Sequence, residues 1–217
     1  MLRHDNQFFA FAIAAATLAA LSLATPAMAG DGNTLYIQQD ASSTDGNSLF
    51  VDQSLAFDST VAGDIAATLP AMQTGGNNTG VITLSGDGAM VLFGQTNSGL
   101  GAGTNTAEIT GDSYATIVLQ QDGFGNDGML DVGSGSNQGA LFQYGDENTG
   151  KVTVSGTNNS GTLYQRGDNN TYALNVTGNK SSVQWNQIGN NISPTSSVTP
   201  ATVISNAGKV IITQTSY

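Results

Sequence analysis

The sequence predicts an all-β protein, a parallel two-sheet β-solenoid with coils of roughly 22 residues and two strands in each coil. Three observations support this fold class. A glutamine recurs every 22 residues, at Gln121, Gln143, Gln165 and Gln187. Short segments of alternating apolar and polar residues precede and follow each glutamine, which is typical of strands rather than helices. Stretches rich in Gly, Asn and Asp, which favour turns, separate these segments.

Residues 1–29 are predicted to be a secretory signal peptide that is not part of the fold. An almost unbroken apolar run from Phe8 to Leu23 precedes the small residues Ala27 and Ala29, which suit a signal peptidase. A membrane anchor is the alternative, and the short run ending near Pro26 disfavours it. Cleavage after Ala29 would leave 188 of the 217 residues, with no transmembrane segment.

Composition excludes several kinds of chemistry. The chain has no Cys, and its single His lies within the predicted signal peptide, so the mature protein would lack thiol and imidazole catalysts and His or Cys metal ligands. Five basic residues against sixteen acidic ones give a net charge of −11, which disfavours nucleic acid as a partner. We therefore expect no enzyme activity, no cofactor and no bound metal.

The repeat divides the chain into segments. Residues 30–54 form a first divergent repeat, in which Thr34–Asp40 matches Thr116–Asp122, and residues 55–70 are predicted to be an irregular connection. Residues 71–192 form the regular solenoid, whose one wide spacing of 26 residues follows Gln95 and indicates an insertion near Gly101. Residues 193–208, which contain Pro194 and Pro200, are predicted to be an irregular loop or cap, and 209–217 a terminal strand with a truncated repeat. The total is about seven to eight coils.

Each position of the repeat defines a column that stacks along the solenoid. The anchor column contains Gln39, Gln73, Gln95, Gln121, Gln143, Gln165, Gln187 and Gln214. The other predicted columns are the arc glycines Gly75, Gly123, Gly145, Gly167 and Gly189, the arc amides Asn78, Asn126, Asn148 and Asn170, and the core residues Leu119, Leu141, Leu163, Trp185, Val132, Val154 and Val176. Period-two parity places the glutamines and the core residues on inward faces.

Stacked amides explain why glutamine is tolerated in such a core. A buried amide is costly unless both its donor and its acceptor sides are satisfied, and a column of amides satisfies them mutually. We therefore interpret the glutamine column as a structural ladder; a ligand-facing row of amides is the alternative. The arc glycines are expected at positive φ, where a Cβ is disfavoured.

The motif Gln-x-Gly-x-x-Asn in tandem 22-residue units resembles the curlin repeat. It occurs as Gln73–Asn78, Gln121–Asn126, Gln143–Asn148 and Gln165–Asn170. The resemblance implies a secreted subunit of curli, the functional amyloid fimbria or pilus-type fibre of the bacterial biofilm matrix and cell adhesion. It also implies self-assembly with a related subunit or nucleator as partner, and outer-membrane export machinery.

Curlin repeats carry a second glutamine eleven positions after the first. Here that column is aliphatic, with Leu84, Val132, Val154 and Val176, and the first repeat begins almost at the predicted cleavage site. Major, nucleating and accessory subunits are all compatible with this pattern.

Three other hypotheses concern a soluble adhesin, an enzyme and a calcium site. A soluble monomeric β-solenoid adhesin would share the repeat but need capped ends. A β-helix enzyme would need a third strand in each coil and a column of catalytic residues. The four basic residues of the mature chain do not form one column; they are Lys151, Arg166, Lys180 and Lys209. Asp146, Glu147 and Asp168 are weak calcium candidates on adjacent arcs, and a solvated acidic edge is the favoured interpretation.

Overall fold

A computed structural model describes residues 32–41, 46–97, 103–193 and 201–216, and every regular element within them is a β-strand. The predicted signal peptide, its cleavage site at Ala29 and the centre of the predicted insertion near Gly101 lie outside the described residues. The strands are β1 (Thr34–Leu35), β2 (Ile37–Asp40), β3 (Ser48–Phe57), β4 (Thr60–Ala62), β5 (Ala71–Thr74), β6 (Asn78–Asp87), β7 (Met90–Thr96), β8 (Asn105–Gly111), β9 (Thr116–Asp122), β10 (Asp127–Val132), β11 (Gln138–Tyr144), β12 (Thr149–Thr157), β13 (Ser160–Arg166), β14 (Thr171–Asn179), β15 (Ser182–Ile188), β16 (Ala201–Asn206) and β17 (Lys209–Thr215).

The chain forms two parallel sheets and passes from one to the other in each coil, as the sequence predicts. The first sheet contains ten strands in the order β1-β4-β7-β9-β11-β13-β15-β17, with β2 and β5 beside them; the second contains seven, in the order β16-β14-β12-β10-β8-β6-β3. We call each level of a sheet a row. Because β1 with β2 and β4 with β5 each share one row, the first sheet has eight rows and the second has seven. The described residues therefore form seven full coils followed by a half coil, β17.

Neighbouring coils pair residue by residue at the repeat spacing. Leu141 pairs with Leu163 in the first sheet, and Val132 pairs with Val154 in the second. A slip of one residue would turn every inward side chain outward, so the buried columns themselves maintain the register. The predicted core residues are all at most 1% exposed except Trp185, at 8%. The core is a narrow layer of these side chains between the two sheets.

Glycines inside the coils determine how closely the two sheets approach. A Cβ placed on Gly161 of the first sheet would lie 2.9 Å from Val154 Cγ2 of the second sheet. A Cβ on Gly150 of the second sheet would lie 2.7 Å from Leu141 Cδ1 of the first. Each glycine therefore leaves space for a branched side chain from the facing sheet, a role that the sequence analysis does not predict.

Two segments predicted to be irregular contain strands. The expected connection 55–70 includes the end of β3 and all of β4, and strand structure is absent only at Asp58, Ser59 and Gly63 to Pro70. The expected loop 193–208 includes β16, which pairs with β14; residues 194–200 lie outside the described part of the chain. Backbone groups of an adjacent strand need partners, so even sequences with weak alternation are recruited to complete a row. The described residues include no helix long and apolar enough to cross a membrane.

Candidate functional site: the amide ladder and the solenoid ends

The eight anchor glutamines form one continuous hydrogen-bonded ladder. In every pair of neighbouring coils the Nε2 atom of the earlier glutamine donates to the Oε1 atom of the later one. The seven donor–acceptor distances, in chain order, are 2.6 Å for Gln39–Gln73, 2.7 Å for Gln73–Gln95, 2.7 Å for Gln95–Gln121, 2.8 Å for Gln121–Gln143, 3.0 Å for Gln143–Gln165, 2.9 Å for Gln165–Gln187 and 3.2 Å for Gln187–Gln214. The predicted ladder is present, and it is polar because every amide points the same way.

Each central glutamine also donates to one backbone carbonyl of its own coil and one of the preceding coil. Gln143 Nε2 donates to the Asn148 carbonyl at 2.9 Å and to the Asp127 carbonyl at 3.0 Å. Gln165 repeats this pattern with Asn170 and Thr149. Among the described residues, no side-chain nitrogen or oxygen that is fully enclosed by protein lacks a hydrogen-bond partner. The cost of burying these amides is therefore offset along the described column.

The arc asparagines join adjacent coils through the backbone. Asn126 Oδ1 accepts from the Asn148 backbone N–H at 3.0 Å, and Asn126 Nδ2 donates to the Gly145 carbonyl at 2.8 Å. Asn148 and Asn170 continue the series, which ends where Asn170 Oδ1 accepts from the backbone N–H of Ile192. Asn78 belongs to the same column and bonds Asn47 of the preceding coil.

The arc glycines have the positive φ that the sequence predicts. Their values are 84° at Gly75, 129° at Gly123, 108° at Gly145, 111° at Gly167 and 122° at Gly189. The arcs of neighbouring coils are also in close contact, since a Cβ on Gly123 would lie 2.1 Å from the Gly145 carbonyl oxygen. Both the backbone conformation and the spacing between coils thus require glycine here.

A second amide column, on the opposite arc, is missed by the sequence analysis. Asn137 and Asn159 are buried, and Asn137 Oδ1 accepts from the Asn159 backbone N–H at 2.9 Å. Asn159 Oδ1 in turn accepts from the Ser181 backbone N–H at 2.9 Å. Asn137, Asn159 and Ser181 lie sixteen positions after Gln121, Gln143 and Gln165. This constant spacing is the sequence signal that predicts their column.

Two further buried amides were hidden by changes in repeat length. Asn105 is the arc asparagine of the coil that begins at Gln95, displaced by the insertion, and its Nδ2 donates to Asn78 Oδ1 at 3.1 Å. Gln53 lies at a bulge where Asp52 pairs with Thr83 and Leu55 with Ser85, so it occupies the column of Leu84. The predicted aliphatic column of the second sheet therefore begins with a glutamine.

The acidic candidates for calcium lie on one edge, where Asp146 and Asp168 stack on adjacent arcs. Asp168 Oδ1 accepts from the Asp146 backbone N–H at 3.0 Å, and Asp146 Oδ1 accepts from the Phe124 backbone N–H at 3.1 Å. Glu147 is exposed beside them at positive φ. Among the described residues, no three acidic or His side chains lie close enough together to hold a metal ion. The stacked carboxylates bond arc amides of neighbouring coils.

The outer face of the first sheet carries an aromatic pair. The rings of Tyr144 and Tyr164 are 5.6 Å apart, and Tyr144 donates its hydroxyl to Gln120 Oε1 at 3.0 Å. Burial raises the pKa of the Tyr144 hydroxyl above its usual value, and the neighbouring Tyr164 and Asp122 raise it further. Side chains at equivalent positions of neighbouring coils therefore contact each other on the outer face, as they do in the interior.

Both ends of the solenoid present strand edges with no strand partner among the described residues. At one end β1 pairs only with β4, β2 only with β5, and β3 only with β6. At the other end β16 pairs only with β14, and β17 only with β15.

The ladder is open at the same two ends. Gln39 Oε1 accepts no hydrogen bond from the described residues, and Gln214 Nε2 donates none to them. One end therefore offers an amide acceptor and the other an amide donor.

Searches against family models, curated proteins and solved structures find no match to this chain.

Proposed function

We propose that this chain is a secreted structural subunit, resembling curlin, that stacks end to end into extracellular amyloid-like fibres of a biofilm matrix and supports cell adhesion. One observation carries the proposal. Among the described residues, the ladder ends in an open acceptor at Gln39 and an open donor at Gln214, and each lies on a strand edge without a partner. A second copy can supply a strand edge at either end and an acceptor for the open donor of Gln214.

The two ends differ, and this favours open growth. The interface would join unlike surfaces, and contacts of this kind generate filaments when they do not close into a ring. All strands run parallel to their neighbours in their own sheet, so an added subunit would extend both sheets along the solenoid axis. Stacked strands then repeat at about 4.8 Å along the fibre.

The proposal includes a route to the outside and means of controlling assembly. Residues 1–29 would direct export, an outer-membrane pore would release the chain, and a related subunit or nucleator would start the fibre. The net charge of −11 would keep subunits soluble before they assemble. Outer-face residues such as Asp122, Asp127 and Asp131 are exposed, away from the buried columns.

Purified residues 30–217 test the fibre directly. We expect a thioflavin-T signal that rises with time and a fibre reflection at about 4.7–4.8 Å. Protein that stays monomeric for days, without that reflection, would reject the fibre and support a soluble β-solenoid adhesin.

A single-atom change tests the end contact. Gln214→Glu keeps an oxygen that accepts from Gln187 and Trp185, but it replaces the Nε2 donor with a second acceptor. We expect elongation to slow several-fold at pH 7 and to recover below about pH 4, where the carboxyl is protonated and can donate. Gln184→Glu adds the same charge at an exposed position of β15 and should elongate at the wild-type rate.

A further inference from the structure

The number of strand rows determines how two copies can meet, provided that the proposed end-to-end assembly takes place. The first sheet has eight rows and the second seven, which makes fifteen rows in the described chain. An odd number means that the two terminal rows, β1 with β2 at one end and β17 at the other, belong to the same sheet. The two ends of the solenoid are therefore not simple continuations of one another.

Stacking two copies in the same orientation would leave a gap. The first sheets would join directly, with β17 of one copy on β1–β2 of the next. In the second sheet, β16 and β3 of the next copy would be two strand spacings apart, because a row is missing between them. That distance is about 9.6 Å, against the ~4.8 Å at which strands form hydrogen bonds. Two edges would then be enclosed without partners, which is costly for backbone groups.

We propose that each subunit is rotated by a half turn about the solenoid axis relative to the subunit before it. The β16 edge is then covered by β1 and β2 of the next copy, and the β17 edge by its β3. Every row is filled in this arrangement. The chain runs one way in the first sheet and returns in the second, so a half turn also keeps each new strand pair parallel.

The side chains match in chemistry and order where β17 meets β3. The inward residues of β17 are Val210, Ile212 and Gln214, in the columns of Val183, Trp185 and Gln187. The inward residues of β3 are Leu49, Val51 and Gln53, in the columns of Gly80, Ile82 and Leu84. Both strands thus present two apolar residues followed by a glutamine, at equivalent positions of the coil.

Gln53 is the informative residue, since its column is otherwise apolar. The other members are Leu84, Gly111, Val132, Val154, Val176 and Val203. Gln53 Nε2 donates to the Ser59 carbonyl of its own arc at 3.4 Å, and Gln53 Oε1 accepts no hydrogen bond from the described residues. In the half-turn arrangement this oxygen faces the unused Nε2 donor of Gln214 of the other copy.

Outward residues of the same two strands also meet. Ile211 on β17 is 55% exposed and Phe50 on β3 is 50% exposed, and both lie between the first and second inward positions of their strands. A half-turn junction would place them side by side and remove apolar surface from water. Same-orientation stacking would pair Gln214 with Gln39 and leave Gln53 Oε1 open, whereas the half turn pairs Gln214 with Gln53 and leaves Gln39 Oε1 open. The amides therefore do not separate the two arrangements, and the row count does.

Cysteine cross-linking distinguishes the arrangements, because the chain has no native Cys. In a half-turn fibre Thr213 lies opposite Asp52 of the next copy, and in a same-orientation fibre it lies opposite Gln38. Neighbouring strands hold paired Cα atoms within the range that a disulfide spans. We expect oxidised fibres of Thr213→Cys/Asp52→Cys to give a ladder of covalent oligomers, and Thr213→Cys/Gln38→Cys to give at least tenfold less.

A second pair, Ile211→Cys/Phe50→Cys, repeats the test if the first variant fails to fold. Single-cysteine variants provide the control. Each subunit then forms at most one disulfide, so covalent species larger than a dimer should be absent. Fibres that cross-link through the Thr213/Gln38 pair, or through none of these pairs, would overturn the half turn and leave the fibre intact. Failure of wild-type protein to form fibres would instead reject the proposed function.

Discussion

Trp185 donates its indole N–H to the Oε1 atom of Gln214, 3.2 Å away, and Gln187 donates to the same oxygen at 3.2 Å. The only tryptophan of the chain thus anchors the last glutamine of the ladder. Its ring also stacks on Tyr172 of the second sheet, with centroids 4.1 Å apart. One side chain therefore links the final half coil to both sheets.

Trp185→Phe removes this donor and keeps an aromatic ring for stacking. We expect the free energy of unfolding of the monomer to fall by about 1 kcal/mol for the lost bond, and further because the smaller ring leaves space unfilled beside Tyr172. Backbone amides of β17 should exchange faster than those of β13 in hydrogen–deuterium exchange. Tyr172→Phe is the control, because the structure shows no hydrogen bond from its hydroxyl among the described residues. Equal losses in the two variants would contradict a role for the indole N–H.

Gln143→Leu interrupts the ladder at its centre. It removes the bonds to Gln121 and Gln165 and leaves their buried amide atoms without these partners. We expect a loss of about 1–3 kcal/mol in monomer stability, measured by urea unfolding, and a longer lag before thioflavin-T fluorescence rises. Gln138→Leu places the same side chain at an exposed position of the same strand and should change stability by less than about 0.5 kcal/mol. A tolerated Gln143→Leu would mean that the ladder contributes no net stability.

Gly161→Ala tests the spacing between the sheets. The added methyl would lie 2.9 Å from Val154 Cγ2 and 3.1 Å from Val176 Cγ2, closer than carbon atoms pack. We expect destabilisation of about 1–3 kcal/mol by overpacking. Gly94→Ala on the same sheet provides the control, because no atom lies within 4 Å of its added Cβ. Thermal unfolding of the two monomers should therefore differ in Tm, with Gly161→Ala the lower; a Gly161→Ala variant as stable as Gly94→Ala would contradict this account.

Val154→Pro should break the solenoid in its middle. Val154 lies in β12, which pairs with β10 on one side and β14 on the other. Proline cannot donate to a neighbouring strand and is rarely accommodated in a central strand. We expect loss of the β-sheet circular dichroism signal and of fibre formation.

Ile65→Pro is the matched substitution. Ile65 follows Asp64 in a turn closed by the Ala67 N–H and the Asp64 carbonyl, a position that suits proline. That variant should fold and assemble like the wild type. Assembly of Val154→Pro at a normal rate would show that β12 is not part of the fibre core.

Acid should release the loop between β4 and β5. The Thr68 hydroxyl and the backbone N–H groups of Thr68 and Leu69 donate to the Asp64 carboxylate, and these bonds lower its pKa below the ordinary 3.8. A lowered pKa means that the loop is stabilised above pH 3.8 and loses that contribution as the pH falls through the folded value.

NMR titration should show the Asp64 transition below pH 3.8, with amide exchange at Thr68 and Leu69 rising together with it. Asp64→Asn should make exchange at both amides independent of this titration. An Asp64 pKa at or above 3.8 would contradict the hydrogen bonding described for the loop.

The repeat predicts the interior well because its signal is local. Each glutamine, arc glycine and core leucine lies at the same place in a 22-residue unit, so parity alone predicts which way it faces. Gln143 and Leu141 are examples, since both are buried as predicted and pair with the next coil at the expected spacing. The same spacing places Asn137 and Asn159 in a column of their own, sixteen positions after Gln121 and Gln143.

Where the unit changes length, the sequence is a weaker guide. Asn105 lies ten positions after its anchor glutamine instead of five, and Gln53 lies fourteen positions after Gln39 instead of eleven. Only pairing with the neighbouring coil shows that these amides occupy regular columns. The strand Ala201–Asn206 is another case, because its place in the second sheet depends on the open edge of β14.

The sequence alone determined the coil length, the all-β class and most of the inward columns, because strand alternation and repeat spacing are local properties of the chain. The tertiary structure decided the direction of the ladder, the place of Gln53 and the unequal row counts of the two sheets. These depend on which strand of one coil lies beside which strand of the next. Hydrogen bonding between coils decides that pairing, and an insertion or a bulge shifts it without leaving a periodic trace in the sequence.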